Sequence, residues 1–151
     1  AQESGKPHSP VDALLDVKAA INYAISTYEP PLLLALGSSY SSGLILRIAG
    51  DSPTLLDGII AFSPGEYFAQ EGMPYDWIEQ AASQITIPVF FASARNEKYA
   101  WEKIFKSINT SSKISYTSIS NGHHGARSLW KRYQDSEEHW RVMETFLKSF
   151  F

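Results

Sequence analysis

The stretch Leu32-Leu33-Leu34-Ala35-Leu36-Gly37-Ser38-Ser39-Tyr40-Ser41-Ser42-Gly43 constrains the fold more than any other part of the chain. An apolar run suited to a buried strand stops at small residues. It resumes as Leu44-Ile45-Leu46-Arg47-Ile48, with no room for a loop between. Strand, sharp turn and helix is the reading. So tight a turn puts its central residue in a strained backbone conformation and requires small residues two positions to either side. Gly37 and Ser41 meet that demand around Ser39. The Ser39 hydroxyl is then lifted above the sheet at a helix N-terminus, where the backbone N–H of Tyr40 faces any negative charge that develops. A serine N-cap closing an ordinary strand-to-helix loop is the competing reading of the same residues.

The rest of the chain extends the alternation. Ser9-Pro10-Val11-Asp12 is a helix start, with serine as cap, proline at the first position and an acid three residues on. Val11, Leu14, Leu15, Val17, Ile21, Ala24 and Ile25 form one apolar face of a helix that ends near Tyr28, before Pro30-Pro31. The helix after the Leu32 to Leu36 strand runs from about Tyr40 to Ile48. Gly58-Ile59-Ile60-Ala61-Phe62-Ser63-Pro64-Gly65, a short apolar run cut by turn residues, reads as a strand buried on both faces. A short helix is expected around Asp76 to Ala82, then a strand over Ile87 to Ala92 with Pro88 at its start. Trp101, Ile104, Phe105 and Ile108 have helical spacing. Lys113 to Ile119 is a more polar strand suited to a sheet edge. Ser136 caps a last helix whose expected buried face is Trp140, Met143, Phe146, Leu147 and Phe150, with His139 on the polar side.

Helices alternating with strands predict an α/β fold: a three-layer sandwich with a mostly parallel, four-stranded sheet and helices on both faces. A length of 151 residues, 44% of them hydrophobic, suits one domain over residues 1–151, with residues 1–8, including His8, as a flexible leading segment. A net charge of -3 with scattered Lys and Arg argues against a nucleic-acid partner. No apolar run reaches the roughly 18 residues of a membrane span, so no membrane partner is expected. Zero cysteines remove disulfides and a cysteine nucleophile without choosing a compartment. No histidine pair has metal-ligand spacing with a supporting carboxylate, and no phosphate-binding glycine loop is present, so neither metal nor cofactor is expected.

Parallel sheets collect their chemistry in the loops leaving the carboxyl ends of strands. Here those loops carry Ser38-Ser39, Glu66, Arg95-Asn96-Glu97 and Asn121-Gly122-His123-His124-Gly125. A serine hydroxyl needs a base near neutral pH, a histidine fits that role, and an acid orients the imidazole. In the order Ser39, Glu97, His124 these are nucleophile, acid and base, with Glu66 a rival acid. Tyr40, Tyr67, Phe68 and Trp77 are candidates for a substrate pocket, or are packing. Arg127 is a candidate for an anionic substrate group or a surface ion pair.

Leu32 to Gly43, Ile87-Pro88-Val89-Phe90-Phe91-Ala92-Ser93-Ala94-Arg95-Asn96-Glu97 and Gly122-His123-His124-Gly125-Ala126-Arg127-Ser128-Leu129 resemble the nucleophile strand, acid strand and histidine loop of the alpha/beta-hydrolases, in the dienelactone hydrolase-like or prolyl-peptidase-like branch. The resemblance covers nearly the whole chain. It implies Ser39 as nucleophile, His124 rather than His123 as base, Glu97 as acid, and cleavage of a small-molecule ester or amide. The acid of this family is more often aspartate, and the neighbouring position here is Asn96. Only the C-terminal half of the family fold is expected in this chain. The four preceding strands, with the loop that supplies a second oxyanion N–H, are absent, and such a donor is worth about 100- to 1000-fold in rate. A non-catalytic binding or assembly module and an acyltransferase are the alternatives. The apolar Leu32 to Leu36 strand at an open sheet edge predicts a covering partner, either a second polypeptide or another copy of the chain.

Overall fold

Four short strands pair in sequence order, all parallel, as β1 (Leu34–Ser38), β2 (Gly58–Phe62), β3 (Val89–Ser93) and β4 (Lys113–Thr117). They belong to a computed structural model that describes residues 9–151. The expected flexible segment over residues 1–8, with His8, lies outside the described residues. The helices are α1 (Ala13–Tyr28), α2 (Tyr40–Asp51), α3 (Trp77–Ala82), α4 (Lys98–Ser107) and α5 (Ser136–Lys148).

The start of α1 departs by a turn from expectation. Residues 10–12 form a turn and the helix begins at Ala13. Asp12 Oδ2 accepts the Ser9 N–H at 2.8 Å, and Ser9 O accepts the Asp12 N–H, but the N-cap is Asp12 rather than Ser9 and no side chain caps the helix. At the other end, Glu29 turns left-handed (φ 43°) and its N–H closes on Ile25 O, ending the helix before the two prolines.

Side chains alternate across the strands and divide the core in two. Ile59, Ala61, Val89 and Phe91 face a layer built from α2, α3, α4 and Ile21 of α1. Ile60, Phe62, Phe90 and Ala92 face Met143 and Phe146 of α5. Successive right-handed crossovers that step across the sheet in one direction leave their helices on one face. The second face is left to the helix that follows β4. This is the expected three-layer α/β sandwich.

The heptad of α5 differs from the sequence reading. Ser136, His139, Met143 and Phe146 are buried, whereas Trp140 is partly exposed and gives its indole N–H to Leu129 O. His139 lies one turn before Met143 on the inward stripe, edge-on to Tyr116, with Nδ1 2.9 Å from Asp135 O. Only Nδ1 finds a partner and Nε2 is buried without one among the described residues, yet the side chain is fully inward, so the polar-face assignment of His139 is corrected.

β4 occupies one edge of the sheet, as its composition suggested. β1 occupies the other and pairs only with β2 among the described residues. Leu36, in the middle of β1, is 52% exposed. No helix among the described residues is long and apolar enough to cross a membrane.

Candidate active site

The turn after β1 has the geometry its sequence implied. Ser39 sits at φ 59°, ψ -132°, a region L side chains rarely adopt, and α2 starts at the next residue. Its N–H is tied to Phe62 O on the neighbouring strand at 2.9 Å. A Cβ on Gly37 would lie 2.6 Å from Ser42 Cα, so the helix approaches the strand too closely for any side chain there. Ser41 does more than stay small: its Oγ accepts the Ser38 N–H and donates to Ser38 O. As the first residue of α2, Tyr40 has an N–H with no intrahelical acceptor.

Three strand-end loops converge on Ser39. His124 Nε2 is 2.8 Å from Ser39 Oγ, and His124 Nδ1 is 2.5 Å from Glu97 Oε1. An ionised carboxylate only accepts, so Nδ1 carries the proton and Nε2 presents its lone pair to the serine hydroxyl. Glu97 ends a short 3-10 turn, Arg95–Glu97, directly after β3 and before α4. Its Oε2 accepts the Ser63 hydroxyl at 2.6 Å and the Ala94 N–H at 3.2 Å. Gly125, at φ 69°, lets the chain fold back beneath His124. A Cβ there would meet Ser38 Oγ at 2.4 Å. The two peptides that follow the histidine are also fastened: Gly125 N–H donates to Ser63 Oγ at 2.7 Å and Ala126 N–H to Ser38 Oγ at 2.9 Å.

Glu66 is elsewhere. Its carboxylate accepts the N–H groups of Ile78 and Glu79 and caps α3 from a distance. Burial raises its pKa, while those two N–H donors pull the other way. The rival acid is therefore occupied as a helix cap. Replacing Glu66 by alanine is expected to lower stability by about 1 kcal/mol and to leave covalent labelling of Ser39 intact. Urea unfolding alongside labelling with a fluorophosphonate checks both halves.

The other candidates separate. Tyr67 donates its hydroxyl to Ser63 O at 2.5 Å and remains partly exposed. Burial of that hydroxyl raises its pKa, with the Glu97 charge adding to the effect and the Ser39 hydroxyl opposing it. Phe68 is fully buried, edge-on to Trp77 and against Gly43. Trp77 is half-buried beneath the Arg47 guanidinium, which donates to its carbonyl. Phe68 and Trp77 thus serve the packing between α2 and α3, and of the three Tyr67 is the one beside Ser39 and Glu97. His123 stacks on Tyr133 with ring centroids 3.4 Å apart and makes no contact with Ser39 or Glu97 in the hydrogen-bond network. Arg127 donates to His124 O and forms no ion pair among the described residues.

A cavity of about 540 Å³ lies past the end of β4, between Tyr116 and Ile119 on one side and Asp135 and Glu138 on the other. It includes none of Ser39, Glu97 and His124. Among the described residues, no cluster of three His, Asp or Glu side chains is placed to hold a metal ion. Ser63 was missed by the sequence reading. A serine after a strand is ordinary, and only its positive φ (49°) and doubly used hydroxyl mark it.

No protein-family model and no curated protein matches the sequence. Solved structures do. The chain superposes on the esterase Pf2001 of Pyrococcus furiosus with a TM-score of 0.72 at 17% identity, covering 99% of this chain and 66% of that one. A monoacylglycerol lipase of Paleococcus ferrophilus gives 0.65 at 14% identity, covering 93% of this chain and 76% of that one. Alpha/beta hydrolase domain-containing protein 10 from mouse gives 0.62 at 14% identity, over 98% of this chain and 73% of that one. The chain has the alpha/beta-hydrolase fold and spans about two thirds of the length of the Pyrococcus esterase.

Proposed function

We propose that this chain carries the catalytic residues of a serine hydrolase that cleaves an ester or amide through an acyl-enzyme. The observation that supports this most directly is the continuous chain of contacts from Ser39 Oγ through both nitrogens of His124 to Glu97 Oε1, at 2.8 and 2.5 Å. Ser39 Oγ attacks the carbonyl carbon as His124 Nε2 takes its proton, and the new imidazolium is stabilised by Glu97. Negative charge collects on the former carbonyl oxygen, where the Tyr40 N–H and the positive end of α2 stabilise it. Collapse of this adduct breaks the bond to the leaving alcohol or amine, which departs with the proton from His124. Water then repeats the sequence on the acyl-serine, releasing a carboxylic acid and restoring Ser39. Tyr67 is the residue of this chain best placed to meet the substrate.

Intact-mass analysis after exposure to a fluorophosphonate tests this reading. A single adduct on Ser39 that requires His124 is expected, and a chain that takes up no label overturns it.

A module kept for binding or assembly is the second reading, and the uncovered edge of β1 favours it. We infer that further β-structured polypeptide, in the simplest case a second copy of the chain, pairs with that edge, because an apolar strand with half-exposed Leu36 and one edge unpaired among the described residues is a template for pairing. Light scattering is expected to give a mass above that of one chain. A well-folded strict monomer overturns the inference.

A further inference from the structure

We propose that Ser63 is a positioning residue that sets the distance and angle between Glu97 and His124, a role that rests on the acyl-enzyme reading above. Every polar group of this buried serine is engaged. Its N–H donates to Ala92 O on β3 at 2.7 Å, and its carbonyl accepts the Tyr67 hydroxyl. Its own hydroxyl works in both directions, donating to Glu97 Oε2 at 2.6 Å and accepting the Gly125 N–H at 2.7 Å.

The two uses of that hydroxyl have a shared consequence. A carboxylate turns about its terminal torsion with little resistance. The Ser63 donor, with the Ala94 N–H, holds Oε2 in place and so aims Oε1 at His124 Nδ1. The acceptor side of the same oxygen holds the peptide directly after His124. Acid and base are therefore fastened to one atom, contributed by a third strand. Glu97 is 34 residues from Ser63 and Gly125 is 62 residues from it, so neither local chain could provide this coupling.

The backbone of Ser63 makes the role separable from folding. At φ 49° a serine is in the left-handed region, which glycine enters without strain. Ser63→Gly thus removes the hydroxyl with no backbone penalty at φ, and Ser63→Ala removes it while keeping a Cβ.

The test uses both variants in the full chain, with three readouts. The rate of Ser39 labelling by a fluorophosphonate is expected to fall about 10- to 100-fold, the rate equivalent of one lost hydrogen bond to a charged group. In a Glu97→Ala background the same change is expected to cost less than about twofold, because the hydroxyl acts through the carboxylate. Nitrogen-15 NMR of the imidazole, assigned by loss of the signal in His124→Asn, is expected to report one Nδ1–H tautomer in the native chain. A mixture of tautomers is expected in Ser63→Gly. Native-like labelling together with a single tautomer in Ser63→Gly overturns the proposal, as do penalties that multiply fully with Glu97→Ala. If the native chain takes up no label, the acyl-enzyme reading fails on its own. The tautomer comparison then decides whether Ser63 positions the pair.

Discussion

Ser39→Ala is expected to abolish covalent capture by a fluorophosphonate and to lower turnover of an activated ester on the order of a millionfold, as loss of a nucleophile does when base and acid act through it. The size follows from the arrangement. The imidazole lone pair faces one hydroxyl at 2.8 Å, so without that oxygen the base has nothing to activate. His124→Ala is expected to approach the same floor, and the double variant to be no worse than either alone. Residues that work as a unit do not add. Folding should be nearly untouched, because removing Oγ at Ser39 leaves its backbone N–H on Phe62 O, and the His124 side chain is about two-fifths exposed. Turnover measurements on all three variants, with circular dichroism as the control, decide the assignment. Substantial activity retained in purified Ser39→Ala sinks it.

Glu97→Gln should reduce turnover about 10,000-fold with the fold intact. The amide is close in shape to the carboxylate but can present an N–H to His124 Nδ1, which drives the imidazole proton to Nε2, the wrong nitrogen for accepting from Ser39. It also removes the charge that stabilises the imidazolium. Glu97→Ala should be comparably slow for a different reason, loss of orientation, and the two variants separate in their NMR tautomer signals. A glutamine variant that works within tenfold of the native chain would mean that the acid is elsewhere. With Glu66 spent on the N–H groups of Ile78 and Glu79, no competing carboxylate of those weighed from the sequence is in place.

The readable part of this molecule was the part whose meaning is local. Gly37, Ser39 and Ser41 announce their turn because a strand that runs directly into a helix leaves few residue types that fit, and close approach to Ser42 is the physical reason. Glu97 and His124 were nominated by position, in the loops that follow β3 and the more polar β4, at the end of a parallel sheet where side chains converge. What could not be read is set by contacts between distant segments. Phe68 and Trp77 read equally as pocket walls or as packing, and they pack between α2 and α3; nothing within residues 66–84 says which face meets the sheet. His139 looked polar because imidazole is polar, and its burial depends on Tyr116 and the Asp135 carbonyl. Ser63 had no signal at all: its backbone angle and both of its hydroxyl partners exist only in the folded chain.

The site draws Ser39, Ser63, Glu97 and His124 from four different strand ends, with hydrogen bonds that bridge up to 85 residues of sequence. Contacts of such separation carry their loop-closure cost early and are formed late, so parallel sheets of this kind fold slowly compared with helical bundles. No partly folded species with only β1 and β2 paired can hold this chain of hydrogen bonds, because Glu97 and His124 arrive with β3 and β4. Recovery of chemical reactivity at Ser39 during refolding is then a clock for the last event, registration of the whole sheet. It should lag the return of helical signal from α1 and α2.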